Sequence, residues 1–144
     1  MGDLAAFFRE KHRQTQRWKE EREKILKEWQ GALKDLFQQL MEWLRPAEEA
    51  GLQIRTSTLK IHEELLGTYE APSLELVFGS IRVRIAPRAR LVVGGAGRVE
   101  IESSRGNVAL VRTQPDSEWF LSYEGRLIPL TQGTFIDLIQ ELFA

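Results

Sequence analysis

A chain of 144 residues with a formal charge of −1, 42% hydrophobic and 28% charged side chains, and no cysteine suits one domain of 1–144 with its own core. The missing cysteines exclude disulfides, thiolate catalysis and Cys-type zinc sites, and twenty basic against twenty-one acidic side chains leave no global field toward nucleic acid or anionic lipid. No apolar run approaches the length of a membrane span and residues 1–10 hold no secretory apolar stretch, so the expectation is a soluble, cytoplasmic protein with no membrane partner.

The first element is a helical arm over residues 1–46. Between Met1 and Arg45 there is no Pro or Val, and only one Ile and one Thr, while good helix formers fill the segment. At ~100° per residue, Trp18, Trp29 and Trp43 fall within roughly 40° of one another, with Leu4, Phe7, Ile25, Leu36 and Leu40 on the same side. From Ile25 onward Leu26, Leu33, Phe37 and Leu44 widen the stripe, which predicts that residues 25–44 dock on a sheet. Upstream, between Arg9 and Lys24, Trp18 is the single large apolar residue. Leu4, Phe7 and Phe8 make a hydrophobic tip beyond that charged stretch, and burying each large side chain would be favourable by roughly 1.5–3 kcal/mol. Three covers are open: the chain's own core after a bend near Gly31, the same helix of a second subunit, or the groove of another protein. Pro46 is expected to end the helix.

Residues 52–130 read as an antiparallel meander of six to eight strands. The first covers 52–62, where Leu52 and Ile54 have opposite parity to Leu59 and Ile61, so a bulge is expected. Leu74, Leu76 and Phe78 alternate into Gly79-Ser80, and Ile81, Val83 and Ile85 alternate out of it. That pattern predicts a two-residue hairpin with Phe78 facing Ile81, Leu76 facing Val83, Leu74 facing Ile85, and Glu75 opposite Arg84 on the other face. The alternation through residue 91 puts Arg82, Arg84, Arg88 and Arg90 on one side, with Pro87 bending the strand or marking an edge. Gly94-Gly95-Ala96-Gly97 reads as a loop, after which Leu91 and Val93 should face Val99 and Ile101, with Arg90 opposite Glu100 or Glu102. Further strands are expected at 107–112, 118–123 and 126–130. A short C-terminal helix within 131–144 follows, with Thr134 and Asp137 resembling a capping-box variant.

Motifs for chemistry are sparse. His62-Glu63-Glu64-Leu65-Leu66 lacks the second histidine of a zinc-protease helix, and His12, the other histidine, lies in the charged helical stretch. The Gly94–Gly97 run ends in Arg98 and leads into a strand, which is a hairpin loop and not a phosphate loop. Ser103-Ser104 stands beside Arg105-Gly106-Asn107 as a turn, and no carboxylate pair suggests a general acid and base. The expectation is therefore an α+β protein without catalytic residues, metal or cofactor. It is expected to act as a protein-interaction or adaptor module whose N-terminal helix, through Leu4, Phe7, Phe8 and Trp18, engages a second copy or another protein. The alternative is nucleic-acid binding by the arginine face of Arg82, Arg84, Arg88 and Arg90.

Overall fold

The computed structural model describes residues 2–144; residue 1 of the expected arm lies outside the described residues. It has the α+β architecture read from the sequence: a long N-terminal helix, α1 (Leu4–Glu49), a seven-stranded antiparallel sheet, and a C-terminal helix, α2 (Gln132–Phe143). The strands are β1 (Gln53–Glu63), β2 (Gly67–Phe78), β3 (Ile81–Ala89), β4 (Arg98–Ser103), β5 (Gly106–Arg112), β6 (Trp119–Tyr123) and β7 (Arg126–Pro129). Their spatial order equals their chain order, an uncrossed meander with β1 and β7 at its two edges.

Helix α1 starts at Asp3, whose side chain accepts the Ala5 N–H at 2.9 Å. It runs for 46 residues, about 69 Å at 1.5 Å per residue. Two expectations are corrected here. The helix passes through Gly31 without interruption, so no bend folds the tip back onto the core. It also passes through Pro46, and ends three residues later. Proline removes one backbone bond, but the final turn is held by packing of Ala47 on the core and by bonds from Ala50 and Leu52 N–H to the Ala47 carbonyl. Gly51, at φ +111°, then takes a backbone conformation that L side chains rarely adopt and turns the chain into β1.

From Trp29 to Leu44 the helix buries Trp29, Leu33, Leu36, Phe37, Leu40 and Leu44. They form one cluster with Leu74 and Leu76 of β2, Val83 and Ile85 of β3, Val99 and Ile101 of β4, Val108 and Leu110 of β5, Leu121 of β6, and Phe135, Leu138 and Leu142 of α2. Trp29 bridges distant strands, since its indole N–H donates to the Tyr69 hydroxyl of β2 at 3.1 Å and its ring lies 5.9 Å from Trp119 of β6. The sheet therefore curls around α1. At the other end of the docked segment Trp43 stacks at 5.7 Å on Phe135 of α2.

The β2–β3 hairpin has the register read from the sequence, Phe78 with Ile81, Leu76 with Val83, Leu74 with Ile85 and Glu75 with Arg84. The expected bulge in β1 is not found. Pairing runs without a shift from Gln53 with Val77 to Glu63 with Gly67, because both strands change phase together: β2 buries Tyr69, Ala71 and Ser73, then Leu74 and Leu76. The change falls where the β2–β3 ladder ends at Leu74, so the far half of the β1–β2 hairpin is free to turn toward α1. Helix α2 lies within the expected 131–144, but its cap is formed by Thr131 with Thr134 and not by Thr134 with Asp137. Thr131 is the N-cap and Thr134 the third helical residue, each side chain bonded to the other's backbone N–H.

Candidate functional site

The arm. From Gly2 to Glu21 every residue of the chain is exposed. Leu4, Phe7, Phe8 and Trp18 keep 71%, 54%, 60% and 41% of their surface in solvent. The four fall within about a 100° arc of the helix, and the docked residues Trp29 to Leu44 fall on the same side. One side of α1 thus carries large apolar residues in both halves, covered by the sheet in the second and bare in the first, where Lys11, Gln14 and Arg22 interrupt them. Phe7 and Phe8 meet edge-on at 5.2 Å, and the Lys11 ammonium lies 5.8 Å from the Phe7 ring centre.

The base of the arm. Where α1 enters the sheet, the side chains of Glu28 and Trp29 are fixed by a cluster that the sequence reading missed. Arg112, at the end of β5, is 1% exposed. Its guanidinium meets both Glu28 carboxylate oxygens at 2.6 Å, donates to the Ala96 carbonyl from Nε at 3.0 Å and from Nη2 at 2.8 Å, and lies 5.3 Å and 5.7 Å from the Trp29 and Trp119 rings. This is bidentate, charge-assisted pairing in a nearly dry site. A second knot adjoins it. The Glu63 carboxylate accepts the backbone N–H groups of Arg90 and Leu91 at 2.9–3.1 Å and the Tyr69 hydroxyl, which in turn receives the Trp29 indole N–H. Burial, then the Glu63 hydrogen bond, hold the Tyr69 hydroxyl well above its ordinary pKa, so it stays protonated and donates. Gly97, at φ +133°, passes so close to the Trp29 ring that a Cβ would overlap it. Together these contacts fix the rotation of α1 and hence the direction in which the bare stripe points.

The outer face. The four arginines expected on one side do not stay together. Arg82, Arg84 and Arg88 are exposed, and Arg88 bonds Glu100 at 2.8 Å and Glu102 at 2.7 Å. A register shift between Pro87 and Ala89 reverses the alternation and turns Arg90 toward the base cluster, where its Nε is buried without a partner. Burial and then the Arg112 charge lower the Arg90 pKa. Pro87 thus sits beside a bulge in an internal strand, not at an edge. The β3–β4 register also differs from expectation: Ile85 faces Ile101, Pro87 faces Val99, Arg84 faces Glu102 and Ala86 faces Glu100. Leu91 and Val93 are in the connection. Glu63 withdraws the Arg90 and Leu91 N–H groups from any ladder, while Ala96 and Gly97 pair with the Arg112 backbone. On the face that remains, Glu75 and Glu102 lie across from Arg84, and Glu100 lies between Arg88 and Arg98. Burial pushes the Glu100 carboxyl up, but the Arg88 hydrogen bond and charge, with Arg98, outweigh it and hold the carboxyl below its ordinary range.

His62 lies in β1 with Nδ1 2.9 Å from the Thr68 hydroxyl, and His12 is exposed on the arm. Among the described residues no group of three or more His, Asp or Glu is placed to hold a metal ion, and no helix is long and apolar enough to cross a membrane. Comparison with protein-family models, with curated proteins and with solved structures finds no match.

Proposed function

We propose that this protein is a non-enzymatic association module, in which the curled sheet is a mount and the arm of α1 pairs with the arm of a second copy. The observation that carries the reading is the shared side of α1: the side that docks from Trp29 to Leu44 also carries Leu4, Phe7, Phe8 and Trp18, which stay exposed among the described residues. An exposed apolar surface of this extent on an ordered element marks a contact. A second copy is favoured as the occupant because the arm is self-complementary in charge. Lys11 and Arg22 stand within the stripe and Glu10 and Glu21 stand at its border, so each of these cations can meet an acid of the other copy.

The test is sedimentation equilibrium across a wide dilution series, with the wild type beside a Phe7→Ser, Phe8→Ser, Trp18→Gln variant. All three side chains are exposed, so the variant is expected to fold and to remain a monomer at concentrations where the wild type is dimeric. A wild type that stays monomeric throughout the series refutes the reading.

A further inference from the structure

The arm's apolar residues are not spread evenly. They gather at the tip, in Leu4, Phe7 and Phe8, and again at the base, in Ile25 and Leu26, with Trp18 between and Lys11, Gln14 and Arg22 breaking the seam. A parallel pair would set tip on tip and base on base, with Lys11 on Lys11 and Arg22 on Arg22 in the seam. An antiparallel pair sets each tip beside the other copy's base and, with Leu4 level with Glu28, sets Lys11 level with Glu21 and Arg22 level with Glu10, once on each side of the twofold axis.

What awaits the tip at that base is on the sheet. Three exposed hydrophobic side chains lie in two segments at the sheet end where α1 leaves: Leu65 at 61%, Leu91 at 38% and Val93, which is fully exposed. Leu65 is in the β1–β2 turn and the other two are in the β3–β4 connection. Glu63 ties these segments together by its bonds to the Arg90 and Leu91 N–H groups, and both segments contact Trp29, through Tyr69 and through Gly97. Resting on the self-association reading, we infer that the arms pair antiparallel and that the tip of each copy, Phe7 and Phe8 foremost, docks on the Leu65, Leu91 and Val93 surface of the other.

The span fits. Leu4 to Glu28 is 24 helical steps, about 36 Å, so overlap of the two arms along their bare length brings each tip level with the opposite Glu28 and the sheet end beside it. The seam of the arms is weak where Lys11, Gln14 and Arg22 interrupt it, and reciprocal docking supplies two further apolar contacts per dimer. Each copy is then both a plug and a socket.

The absence of native cysteine gives a clean test. Phe8→Cys and Val93→Cys copies are prepared separately, mixed and oxidised gently, with Phe8→Cys alone as the comparison; both sites are exposed, so neither change threatens the fold. Equilibrium sedimentation of a Val93→Asp copy runs in parallel. The expected result is a disulfide between residue 8 of one copy and residue 93 of the other, with dimerisation weakened about tenfold or more by Val93→Asp, in line with ~1.4 kcal/mol per factor of ten. A wild-type dimer that instead cross-links residue 8 to residue 8, with no effect of Val93→Asp, overturns the antiparallel docking and leaves self-association standing. A wild type that is monomeric at every concentration overturns both.

Discussion

Removing the Glu28 side chain isolates the cost of fixing the arm to the sheet. In Glu28→Ala, the Arg112 guanidinium loses two charge-assisted bonds of 2.6 Å in a site where it is 1% exposed. Breaking a buried pair from one side typically costs about 3–5 kcal/mol. Two features draw the value to the lower end: Arg112 keeps its bonds to the Ala96 carbonyl and its place beside two indole rings, and the position of Glu28, 26% exposed, lets water reach the vacated side. The expected loss is about 3 kcal/mol. Arg112→Met alone should cost about 2 kcal/mol, since Glu28 can turn to solvent while the Ala96 carbonyl is left unpaired. The double variant has no stranded charge and should cost about 2 kcal/mol in total, not the sum, a coupling of about 3 kcal/mol. Urea unfolding followed by tryptophan fluorescence measures all three from midpoints at unchanged slope. A loss under about 1 kcal/mol for Glu28→Ala, or additivity within about 0.5 kcal/mol, would refute the pair as the arm's anchor.

Two further outcomes follow from the same geometry. Gly97→Ala places a methyl on the Trp29 ring at a backbone angle that alanine rarely adopts, so a loss of about 2–4 kcal/mol is expected in the same assay, and a neutral result would mean that the ring is free to move. Arg88→Ala should remove a pH-dependent contribution. Because the Glu100 pKa is lowered in the folded protein, its stabilisation is present above the ordinary value of 4.5 and is lost as the pH falls through the lower folded value. The gap between wild type and variant should therefore be full near neutrality and close in acid, and a gap constant with pH would contradict the assignment.

Residues that alternate without interruption were legible from the sequence. The β2–β3 hairpin is an example, because Leu74 to Ile85 carries one apolar face and one turn signal. The docked half of α1 was equally plain from its wide stripe. What escaped depends on long-range partners. Arg90 follows the parity of Arg82 and Arg84 in the sequence, but the bulge at Pro87 and Ala89 moves it to the opposite face. Arg112 and Glu63 did leave a signal: Arg112 continues the inward series Val108, Leu110, and Glu63 continues Leu59, Ile61. A charged residue on an inward parity at a strand end marks a buried ion pair or a carboxylate that caps backbone donors, as both do here. The continuity of α1 through Pro46 was hidden because the bonds that hold its last turn come from residues outside the helix pattern.

Trp29 draws its neighbours from Tyr69, Gly97, Arg112 and Trp119, four segments spread over the rest of the chain. During synthesis the first helix therefore emerges with its apolar side uncovered, and no partial product ending before β6 can complete the cover over Trp29. Once complete, the same helix has two dynamic regimes. In the monomer its amides beyond Trp29 open only when the sheet opens, whereas those from Leu4 to Lys24 fray locally, so at dilutions below dimerisation deuterium uptake along one unbroken helix should change by orders of magnitude across a single turn.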